Sequence, residues 1–460
     1  MDYTHLISSI VRGMEYFFHA HLLLALLAYI VVAALLRKHM RHLGYRDISH
    51  EKVPFEKFKA PKVSILIPVF NEQEGIIESV QASLSTDYPN FEIWVIDDGS
   101  SDQTLNQLQE SFLLKPIETP KCQPLCQTQA NRVFQSSTWP NLRVIQKPHS
   151  GKADSLNMGI QYSQGQYVCC IDSDSIITPD ALRKLIIKFI NEPTLIALGG
   201  AIAPSNEIMV RQGEVLRKPT KTSIFVGVQI IEYLRSFTAW RTGWSYLDGL
   251  LIIGGALTVF EKSAVLKVGG YRTDASCEDL EIILTLHEYH LKNNLPYKIW
   301  TIPNVICWTR VPKTKEDLKR QRIRWMWGAL QSLRWHKQLM FTQKSALIGW
   351  FSFPHIVFIE AFAPVIELLG LLSMIACALT GLLSFSSCLI YGLLIYALSG
   401  FYSWYAIATN DHYINSFQSL QQILRLGAVG LIEPIGYRQR DAYWRMIGWW
   451  RWINGQPIKW

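Results

Sequence analysis

Two carboxylates, Asp172 and Asp174, are the side chains of this 460-residue sequence with the clearest capacity for chemistry. They follow an apolar run that predicts a β-strand over residues 167–171. Carboxylates two residues apart in a loop can approach one hard divalent cation, which prefers oxygen ligands and phosphate partners. A cation held there would neutralise a nucleoside diphosphate as it leaves. Asp and Ser also favour strand ends and helix starts, so a structural turn is the alternative interpretation.

Further polar side chains follow two other predicted strands. Asn71 and Glu72 come after the strand predicted over residues 62–69, and Asp97 and Asp98 come at the end of the next predicted strand. The alternation of strand and helix patterns predicts an open, largely parallel sheet. Ligands of such sheets bind beyond the carboxyl ends of the strands, so we expect these side chains to meet at one edge.

Charged residues also begin two predicted helices. Lys152 follows Gly151 at the start of a helical pattern, where it could contact a diphosphate, and a solvated first-turn lysine is the alternative. Glu278 and Asp279 begin the helix predicted over residues 278–293. Acids in that position can serve as catalytic groups or can simply stabilise the helix N-terminus.

A third helical pattern, residues 314–340, contains Gln321, Arg324 and Trp325. An arginine can donate two hydrogen bonds to phosphate oxygens, and an indole ring offers a flat aromatic face to a ligand. A basic amphipathic helix lying on a membrane surface is the alternative interpretation, and both roles can hold at once.

An apolar segment near the N-terminus predicts membrane attachment. Residues 16–36 carry no full charge, and as a helix they would span about 30 Å. The basic residues Arg37, Lys38 and Arg41 follow directly, so the positive-inside rule places residues from 37 onward in the cytoplasm. A cleaved signal peptide is the alternative, but its charges should precede the apolar run. We therefore predict a retained transmembrane anchor.

A second apolar block covers about residues 345–409 and predicts two spans, over about 355–379 and 388–408. Glu360 and Glu367 lie within the first span. Intramembrane carboxylates are costly and usually face protein or water. They could line a path for a lipid or a polymer, or they could lie near the headgroups or in a helix contact.

These patterns predict four parts. They are an N-terminal transmembrane anchor (1–45), a cytoplasmic domain with amphipathic interface helices (46–343), C-terminal transmembrane helices (344–410) and a cytoplasmic interfacial tail rich in Arg and Trp (411–460). The basic residues behind the net charge of +8 flank the apolar segments, so nucleic acid is not an expected partner. The eight cysteines are scattered without zinc-finger spacing, which favours ordinary thiols.

The ordered motifs resemble those of the family 2 glycosyltransferases with a GT-A nucleotide-sugar fold. They are Ile67-Pro68-Val69-Phe70-Asn71-Glu72, Asp97-Asp98, Gly151-Lys152, Asp172-Ser-Asp174, Gly254-Gly255, Glu278-Asp279-Leu-Glu281 and Gln321-Arg-Ile-Arg324-Trp325. The resemblance covers roughly residues 60–375, and the last three motifs resemble the membrane-integrated branch that includes poly-N-acetylglucosamine, hyaluronan and cellulose synthases. It implies an α/β, Rossmann-like cytoplasmic GT-A domain with α-helical transmembrane segments at both ends.

The resemblance also implies roles for individual residues. The donor nucleotide-sugar would contact Pro68, Asn71, Glu72, Asp97, Asp98, Lys152, Asp172, Gln321, Arg324 and Trp325, with Asp97 or Asp98 on the uracil and ribose. Asp172 and Asp174 would hold Mg²⁺ or Mn²⁺, with Asp174 favoured as the direct ligand. Asp279, beside Glu278, would be the catalytic base. The Gln321 to Trp325 run would flank the diphosphate and the acceptor.

The expected function is an inverting, metal-dependent transfer of a sugar from a UDP-sugar to a growing β-linked polysaccharide, with an N-acetylglucosamine-like sugar as the first guess. The expected location is the cytoplasmic face of the inner (plasma) membrane, as a multi-pass protein. Single transfer to a lipid acceptor is an alternative, and so is a transporter or scaffold with an inactive transferase domain.

The sequence departs from the family pattern in two places. Cys277 precedes Glu278 where relatives commonly have Thr or Ser, and there is no gating motif of the cellulose-synthase type after Trp325. Three predicted spans are also few for a self-contained polymer channel. These features leave an accessory membrane subunit or a homo-oligomer open as a partner, besides the lipid bilayer and a saccharide or lipid acceptor.

Overall fold

The computed structural model describes residues 60–119, 125–206, 209–211, 214–217, 223–379, 385–414 and 419–456, together with eight single positions between residues 13 and 34. The predicted anchor over residues 1–45 lies outside the described residues apart from those positions. Residues 380–384, between the two predicted C-terminal spans, also lie outside them.

A mixed ten-stranded sheet forms the centre of the described part, and a separate two-stranded hairpin (β9 and β10) follows its eighth strand. The strands are β1 (Val63–Val69), β2 (Phe91–Asp97), β3 (Leu114–Ile117), β4 (Arg132–Ser136), β5 (Leu142–Gln146), β6 (Tyr167–Ile171), β7 (Ile176–Ile177), β8 (Leu195–Pro204), β9 (Met209–Arg211), β10 (Glu214–Arg217), β11 (Leu257–Glu261) and β12 (Lys298–Thr309). Their order in the large sheet is β3-β4-β5-β2-β1-β6-β11-β8-β12-β7.

Helices cover both faces of this sheet and extend beyond it. They are α1 (Ile76–Leu84), α2 (Thr104–Ser111), α3 (Lys152–Tyr162), α4 (Ala181–Asn191), α5 (Ile224–Tyr233), α6 (Thr242–Tyr246), α7 (Lys262–Lys267), α8 (Glu278–Lys292), α9 (Lys315–Trp335), α10 (Phe353–His355), α11 (Ala363–Leu379), α12 (Phe385–Ile414), α13 (Leu420–Ile432) and α14 (Tyr437–Ile453). π-helical turns occupy Leu234–Arg241, Ile348–Ser352 and Ile356–Ala361, and a 3₁₀ turn occupies Lys337–Leu339.

Strand β1 shows why the sheet is covered on both faces. All seven of its residues are buried, which is typical of a parallel strand between two helical layers. Successive side chains of a strand point to opposite faces. Accordingly, Ile65 and Ile67 pack in one hydrophobic cluster with Ile76 of α1, whereas Leu66 packs in another with Leu156 of α3. The core therefore lies on both sides of the sheet.

The expectation of a largely parallel sheet holds for most of its strands. Strands β5, β2, β1, β6, β8 and β12 run in one direction, whereas β11 runs antiparallel between β6 and β8. Beyond β5, strands β3 and β4 add an antiparallel edge to the sheet. The apolar, Gly-rich stretch before β11 gave no local sign of strand direction, because pairing partners are set by distant residues.

The apolar C-terminal part contains bent and interrupted helices. Within the described residues no single helix is long and apolar enough to cross a membrane. The helices Ile348–Ala361 and Ala363–Ser373, bent by 45° at their junction, reach the required length and apolar composition when they are taken together. Helix α14 packs against α9 and α11, and Gly448 makes the approach to α9 possible. A Cβ atom at Gly448 would lie 2.9 Å from the carbonyl oxygen of Ile323.

Candidate functional site

The parallel strands place the predicted site residues along one edge of the sheet. Val69 pairs with Asp97 across β1 and β2, so both strands end at the same level. Strand β6 pairs with the other side of β1 and delivers Asp172 and Asp174 just beyond Ile171. The expectation that these strand ends meet at one edge is therefore confirmed.

Lys152 joins two of the predicted acids. Its Nζ lies 2.5 Å from Asp172 Oδ1 and 2.6 Å from Glu278 Oε1, so the ends of β6 and the starts of α3 and α8 converge on one ammonium group. Gly151 precedes it with φ of 99°, a left-handed conformation that favours glycine. Although burial opposes both charges, the two carboxylates raise the pKa of Lys152, and Lys152 lowers the pKa of Glu278. The contacts in this cluster therefore favour the charged forms of Lys152 and Glu278.

Asp174 lies in a different electrostatic environment. Its Oδ1 accepts hydrogen bonds from Thr309 Oγ1 at 3.2 Å and from Ser175 Oγ at 3.4 Å. Burial, with the nearby carboxylates of Asp172 and Glu72, raises the pKa of Asp174 to about 7. Burial also raises the pKa of Asp172, against the opposing effect of Lys152. Burial and mutual repulsion thus disfavour the charged forms of these two acids, and a bound cation would stabilise them.

Asp279 lies in the first turn of α8, and its carboxylate is partly accessible. Its Oδ1 accepts a hydrogen bond from the backbone N–H of Leu280 at 2.9 Å and one from Cys277 Sγ at 3.3 Å. Gly255 leaves the space beside these acids open. A Cβ atom there would lie 3.1 Å from Lys152 Nζ and 3.6 Å from Asp279 Oδ2. A small group can therefore approach the lysine and the carboxylate together.

Helix α9 faces these acids from the other side. Gln321, Arg324 and Trp325 line the same cavity as Asp279. Burial raises the pKa of Glu278, whereas Lys152 and, to a smaller extent, the charge of Arg324 lower it. Gly328 packs on the segment before α8, where its Cβ would lie 2.7 Å from Cys277 Cβ. This close contact fixes α9 against the start of α8.

Asp97 and Asp98 have different surroundings despite being neighbours. Asp98 is fully engaged: its oxygens accept hydrogen bonds from the backbone N–H groups of Ser150 at 2.9 Å and Gly151 at 2.8 Å, and its carboxylate contacts the Lys147 ammonium. Asp97 accepts one hydrogen bond from the backbone of Ser100, and its buried Oδ2 has no partner among the described residues. Burial raises the pKa of Asp97. Asp98 therefore holds the loop before Lys152, whereas Asp97 keeps a free acceptor.

The remaining predicted residues lie beside β1. Asn71 has φ of 51°, and its Oδ1 accepts a hydrogen bond from the backbone of Ser101 at 2.8 Å, so it shapes the loop after β2. Glu72 Oε1 lies 3.3 Å from Arg310 Nη1. Pro68 lies within β1, opposite Ile96, and is buried. Pro68 is thus part of the strand that supports the site.

One cavity of about 1340 Å³ connects the acids with the C-terminal helices. Its described lining includes the predicted residues Lys152, Asp172, Asp174, Glu278, Asp279, Gln321, Arg324 and Trp325, and farther along Glu360, Glu367, Gly392, Tyr396, Arg438 and Arg445. Asn71, Glu72, Asp97 and Asp98 lie outside this lining. The structure therefore divides the predicted residues into a cavity group and a group at the ends of β1 and β2.

Four residues near the site escaped the sequence analysis. The rings of Phe70 and His149 stack at 4.2 Å between centroids, beside the loop that Asp98 holds. Thr309 and Arg310, at the end of β12, contact Asp174 and Glu72. Phe70 lies inside the Ile67 to Glu72 motif, so the sequence could have indicated it as a site residue. No local sequence pattern marks Thr309 and Arg310 at the end of β12.

Two family models match the chain. The model described as glycosyl transferase family 2 matches residues 64–225, and the model described as glycosyl transferase family group 2 matches residues 167–409. The two matches together contain every predicted site residue.

Curated relatives extend this similarity. The chain is 31% identical over 271 residues to a poly-beta-1,6-N-acetyl-D-glucosamine synthase of Staphylococcus epidermidis, a match covering 59% of this chain and 55% of the relative. It is 30% identical over 271 residues, with the same coverage, to the synthase of that name from Staphylococcus aureus strain COL. The chain thus spans about half the length of the curated relatives it matches.

A solved structure shares the fold. It is a mannosyltransferase from Pyrobaculum calidifontis in complex with GDP-Man and Mn²⁺, 18% identical, with a TM-score of 0.51 and coverage of 93% of this chain and 99% of that one.

Proposed function

Because the chain belongs to the glycosyl transferase family group 2, we propose that it transfers a sugar from a UDP-sugar to a growing β-linked polysaccharide. The family resemblance and the α/β GT-A fold expected from the motifs are confirmed. The observation that carries the proposal is the convergence of Lys152, Asp172, Glu278 and Asp279 in a cavity shared with Arg324 and Trp325. The named product of the staphylococcal relatives supports an N-acetylglucosamine-type sugar.

Asp172 and Asp174 would hold the divalent cation, Mg²⁺ or Mn²⁺. Among the described residues no group of three or more His, Cys, Asp or Glu side chains is arranged to hold a metal ion. Two carboxylates nevertheless fit, because Mg²⁺ is usually bound by one or two carboxylates together with substrate phosphates and water. The raised pKa of Asp174, caused by burial and neighbouring acids, fits a site that favours a cation. When bound, the cation neutralises charge on the diphosphate.

Asp279 acts as the general base. It takes the proton of the acceptor hydroxyl while that oxygen forms a bond to the anomeric carbon, and the bond from this carbon to the diphosphate oxygen breaks on the opposite face. The product is inverted at that carbon, and UDP leaves. Glu278 is held by Lys152 at 2.6 Å, so it maintains the lysine in place. The open space beside Gly255 admits the reacting groups next to both Lys152 and Asp279.

The nucleotide end lies at the ends of β1 and β2, and Asp97 binds the base there. Its free, buried Oδ2 can accept a hydrogen bond, whereas every oxygen of Asp98 is already engaged by the 147–151 loop. The stacked rings of Phe70 and His149 offer a flat face close by. Asn71, Glu72 and Pro68 support this end by shaping the backbone around it.

The acceptor end lies along α9 and continues toward the C-terminal helices. Arg324 can bind diphosphate oxygens, Gln321 can hydrogen-bond sugar hydroxyls, and Trp325 provides an aromatic face for a sugar ring. Glu360 and Glu367 line the same cavity and are bound by Trp240 Nε1 at 2.9 Å and Arg438 Nη2 at 2.6 Å. Placement along the cavity supports the polymer-path interpretation of these two acids.

The proposed setting is the cytoplasmic face of the inner membrane. The apolar sequence over residues 16–36 and the bent pair of helices around Ala361 support attachment to a bilayer. We retain the division into an anchor (1–45), a catalytic domain (46–343), membrane helices (344–410) and a tail (411–460).

A second candidate is a single transfer to a lipid acceptor. The apolar lining of the cavity, which includes Leu368, Leu371 and Leu398, favours it because an acyl chain would fit there. Product size separates the two: a ladder of saccharides indicates polymerisation, and one discrete glycolipid indicates single transfer.

The test is UDP release by the purified full-length protein in detergent with a panel of UDP-sugars. We expect release from one donor in the presence of Mg²⁺ or Mn²⁺, and loss of release after chelation of the metal. Asp279→Asn and Asp174→Ala should each lower kcat by about 100-fold or more, because a base or a charge-stabilising group is removed. Turnover by Asp279→Asn at the wild-type rate would rule out Asp279 as the base, and silence with every donor would contradict the proposed activity.

A further inference from the structure

Arg322, next to Gln321 in the Gln-Arg-Ile-Arg-Trp run, is held by acids from two other helices. Its Nη2 lies 2.5 Å from Glu232 Oε2 of α5, and its Nε lies 3.2 Å from Asp441 Oδ1 of α14. Its side chain is 12% exposed, so these charges are largely withdrawn from water. The hydroxyl of Tyr437 lies 3.4 Å from the same Glu232 oxygen. One guanidinium therefore joins α5, α9 and α14.

The same guanidinium also contacts Trp325. Its central carbon lies 4.9 Å from the centroid of the Trp325 ring, a cation–π distance. Residues three apart on a helix lie on neighbouring positions of one face, so Arg322 can restrict the indole of Trp325 directly. Trp325 lines the cavity and is the proposed platform for a sugar ring. Glu232, Arg322 and Asp441 line the same cavity, and the guanidinium of Arg322 connects the two acids to the Trp325 ring.

Helix α14 presents Asp441 from a fixed position. Gly448 allows its backbone to approach Ile323 of α9, because any larger side chain would meet the carbonyl oxygen there. Arg445 Nη2 donates a hydrogen bond to the carbonyl oxygen of Glu360 at 2.8 Å, and Trp449 Nε1 donates one to the carbonyl oxygen of Ala361 at 2.8 Å. The helix is therefore attached both to α9 and to the bent helix pair.

We infer that Glu232, Arg322 and Asp441 form a positioning triad that sets the orientation of Trp325 for the acceptor sugar, and that α14 is thereby part of the acceptor machinery. Arginine suits this task because its planar fork can contact two carboxylates and stack on a ring, which lysine cannot do. Removing one acid leaves a largely buried charge incompletely paired, so the ring and the arginine should shift together. This inference rests on the proposed function for its catalytic consequence only.

Kinetics of the full-length protein test that consequence. Asp441→Asn, Glu232→Gln and Arg322→Lys should each lower kcat at saturating donor by about 10- to 100-fold, the penalty of misplacing a bound group by ~1 Å, with the donor KM unchanged. Asp441→Glu, which keeps the charge, should restore part of the rate. The matched controls are Asp317→Asn and Arg320→Lys, an exposed ion pair on the same α9 helix, and these should turn over like the wild type.

Hydroxyl-radical footprinting of Trp325, read by peptide mass spectrometry, tests the geometry without turnover. Oxidation of Trp325 should rise in Asp441→Asn and in Arg322→Lys and stay unchanged in the two controls. Unchanged oxidation in Glu232→Gln, Asp441→Asn and Arg322→Lys, each folded by circular dichroism, would overturn the triad whether or not the protein turns over a sugar. Altered oxidation together with wild-type silence toward every UDP-sugar would retain the triad and reject the proposed function.

Discussion

At the residue scale, Lys152 separates two carboxylates that would otherwise repel each other. Asp172 comes from the end of β6 and Glu278 from the start of α8, and each lies within 2.6 Å of the ammonium group. Without the Lys152 ammonium group, burial would favour the protonated forms of Asp172 and Glu278, and the side chains around Asp279 would change position. Lys152 therefore has a structural role in the site besides its proposed contact with the donor diphosphate.

Lys152→Gln should impair both activity and stability. We expect kcat to fall by about 100-fold or more, as for the loss of one preorganised electrostatic group. We also expect the free energy of unfolding to fall by about 1–3 kcal/mol, between the values for exposed and buried ion pairs. UDP release and thermal unfolding measure the two effects. Lys184→Gln, which breaks the surface ion pair with Asp180, is the control. Equal losses in both variants would show that Lys152 has no special role.

At the element scale, the contact between α8 and α9 determines whether base and aromatic platform face one cavity. Close to the catalytic end, Gly328 of α9 packs on Cys277. At the other end, the buried imidazole of His336 lies 2.6 Å from Glu288 Oε2 and 3.3 Å from Glu281 Oε1. Burial alone would lower the pKa of His336, but its hydrogen bonds to Glu281 and Glu288 raise it above the usual 6.5. The two helices are thus joined at both ends.

This ion-pair contact predicts a pH dependence of stability. Because the pKa of His336 is higher in the folded state, its stabilisation is fully present below about pH 6.5 and is lost as the pH rises through the folded value. The melting temperature of the wild type should therefore fall relative to that of His336→Gln as the pH increases above 6.5. Thermal unfolding at a series of pH values measures the difference. Glu288→Gln should reduce the slope, and a parallel pH profile for wild type and His336→Gln would contradict the assignment.

Local sequence patterns predicted several helices and strands that carry the site residues. The pairing of strands and side chains that are distant in the sequence was seen only in the structure. Strand β2 and helix α8 agree with the sequence because their apolar periods and end residues are local signals. Strand β12 was missed, since Pro303 and a register shift interrupt it and its pairing with β8 is distant. The ion pair of Lys152 with Glu278 likewise joins residues that are far apart in the sequence, and no sequence pattern predicts that they meet.

Asp97 and Asp98 show that the sequence alone also could not assign roles to two neighbouring acids of the site. The sequence gives no reason to distinguish two adjacent acids at the end of a strand, because no local pattern predicts where the 147–151 loop will lie. In the structure that loop surrounds Asp98 and leaves an oxygen of Asp97 free. The hydrogen bonds that each carboxylate makes in the folded chain, rather than residue type or burial, therefore distinguish a structural acid from a candidate ligand.

At the scale of the whole molecule, the cavity is the feature that unites the two halves of the chain. It begins at the acids of the sheet edge and continues between α9, α11 and α12. Gly392 of α12 lines it, and a Cβ atom there would meet no atom within 4 Å. The adjacent Leu393 is not part of the described lining and has 57% of its surface exposed. These neighbours allow the cavity to be narrowed without disturbing the sheet.

Gly392→Trp should shorten the product without abolishing the first transfers. The indole would project into the cavity from α12 and would meet no atom within 4 Å of its Cβ, so UDP release with a short acceptor should persist. A chain that has to extend past α12 would meet the new ring, and the product ladder, resolved by gel electrophoresis or mass spectrometry, should end at short lengths. Leu393→Trp adds the same bulk outside the lining and should leave the ladder unchanged, which separates obstruction from a general effect on the helix. A full-length product ladder from Gly392→Trp would mean that the growing saccharide leaves by another path. Loss of all transfer in this variant, with normal transfer by Leu393→Trp, would mean that even the short acceptor binds beside α12.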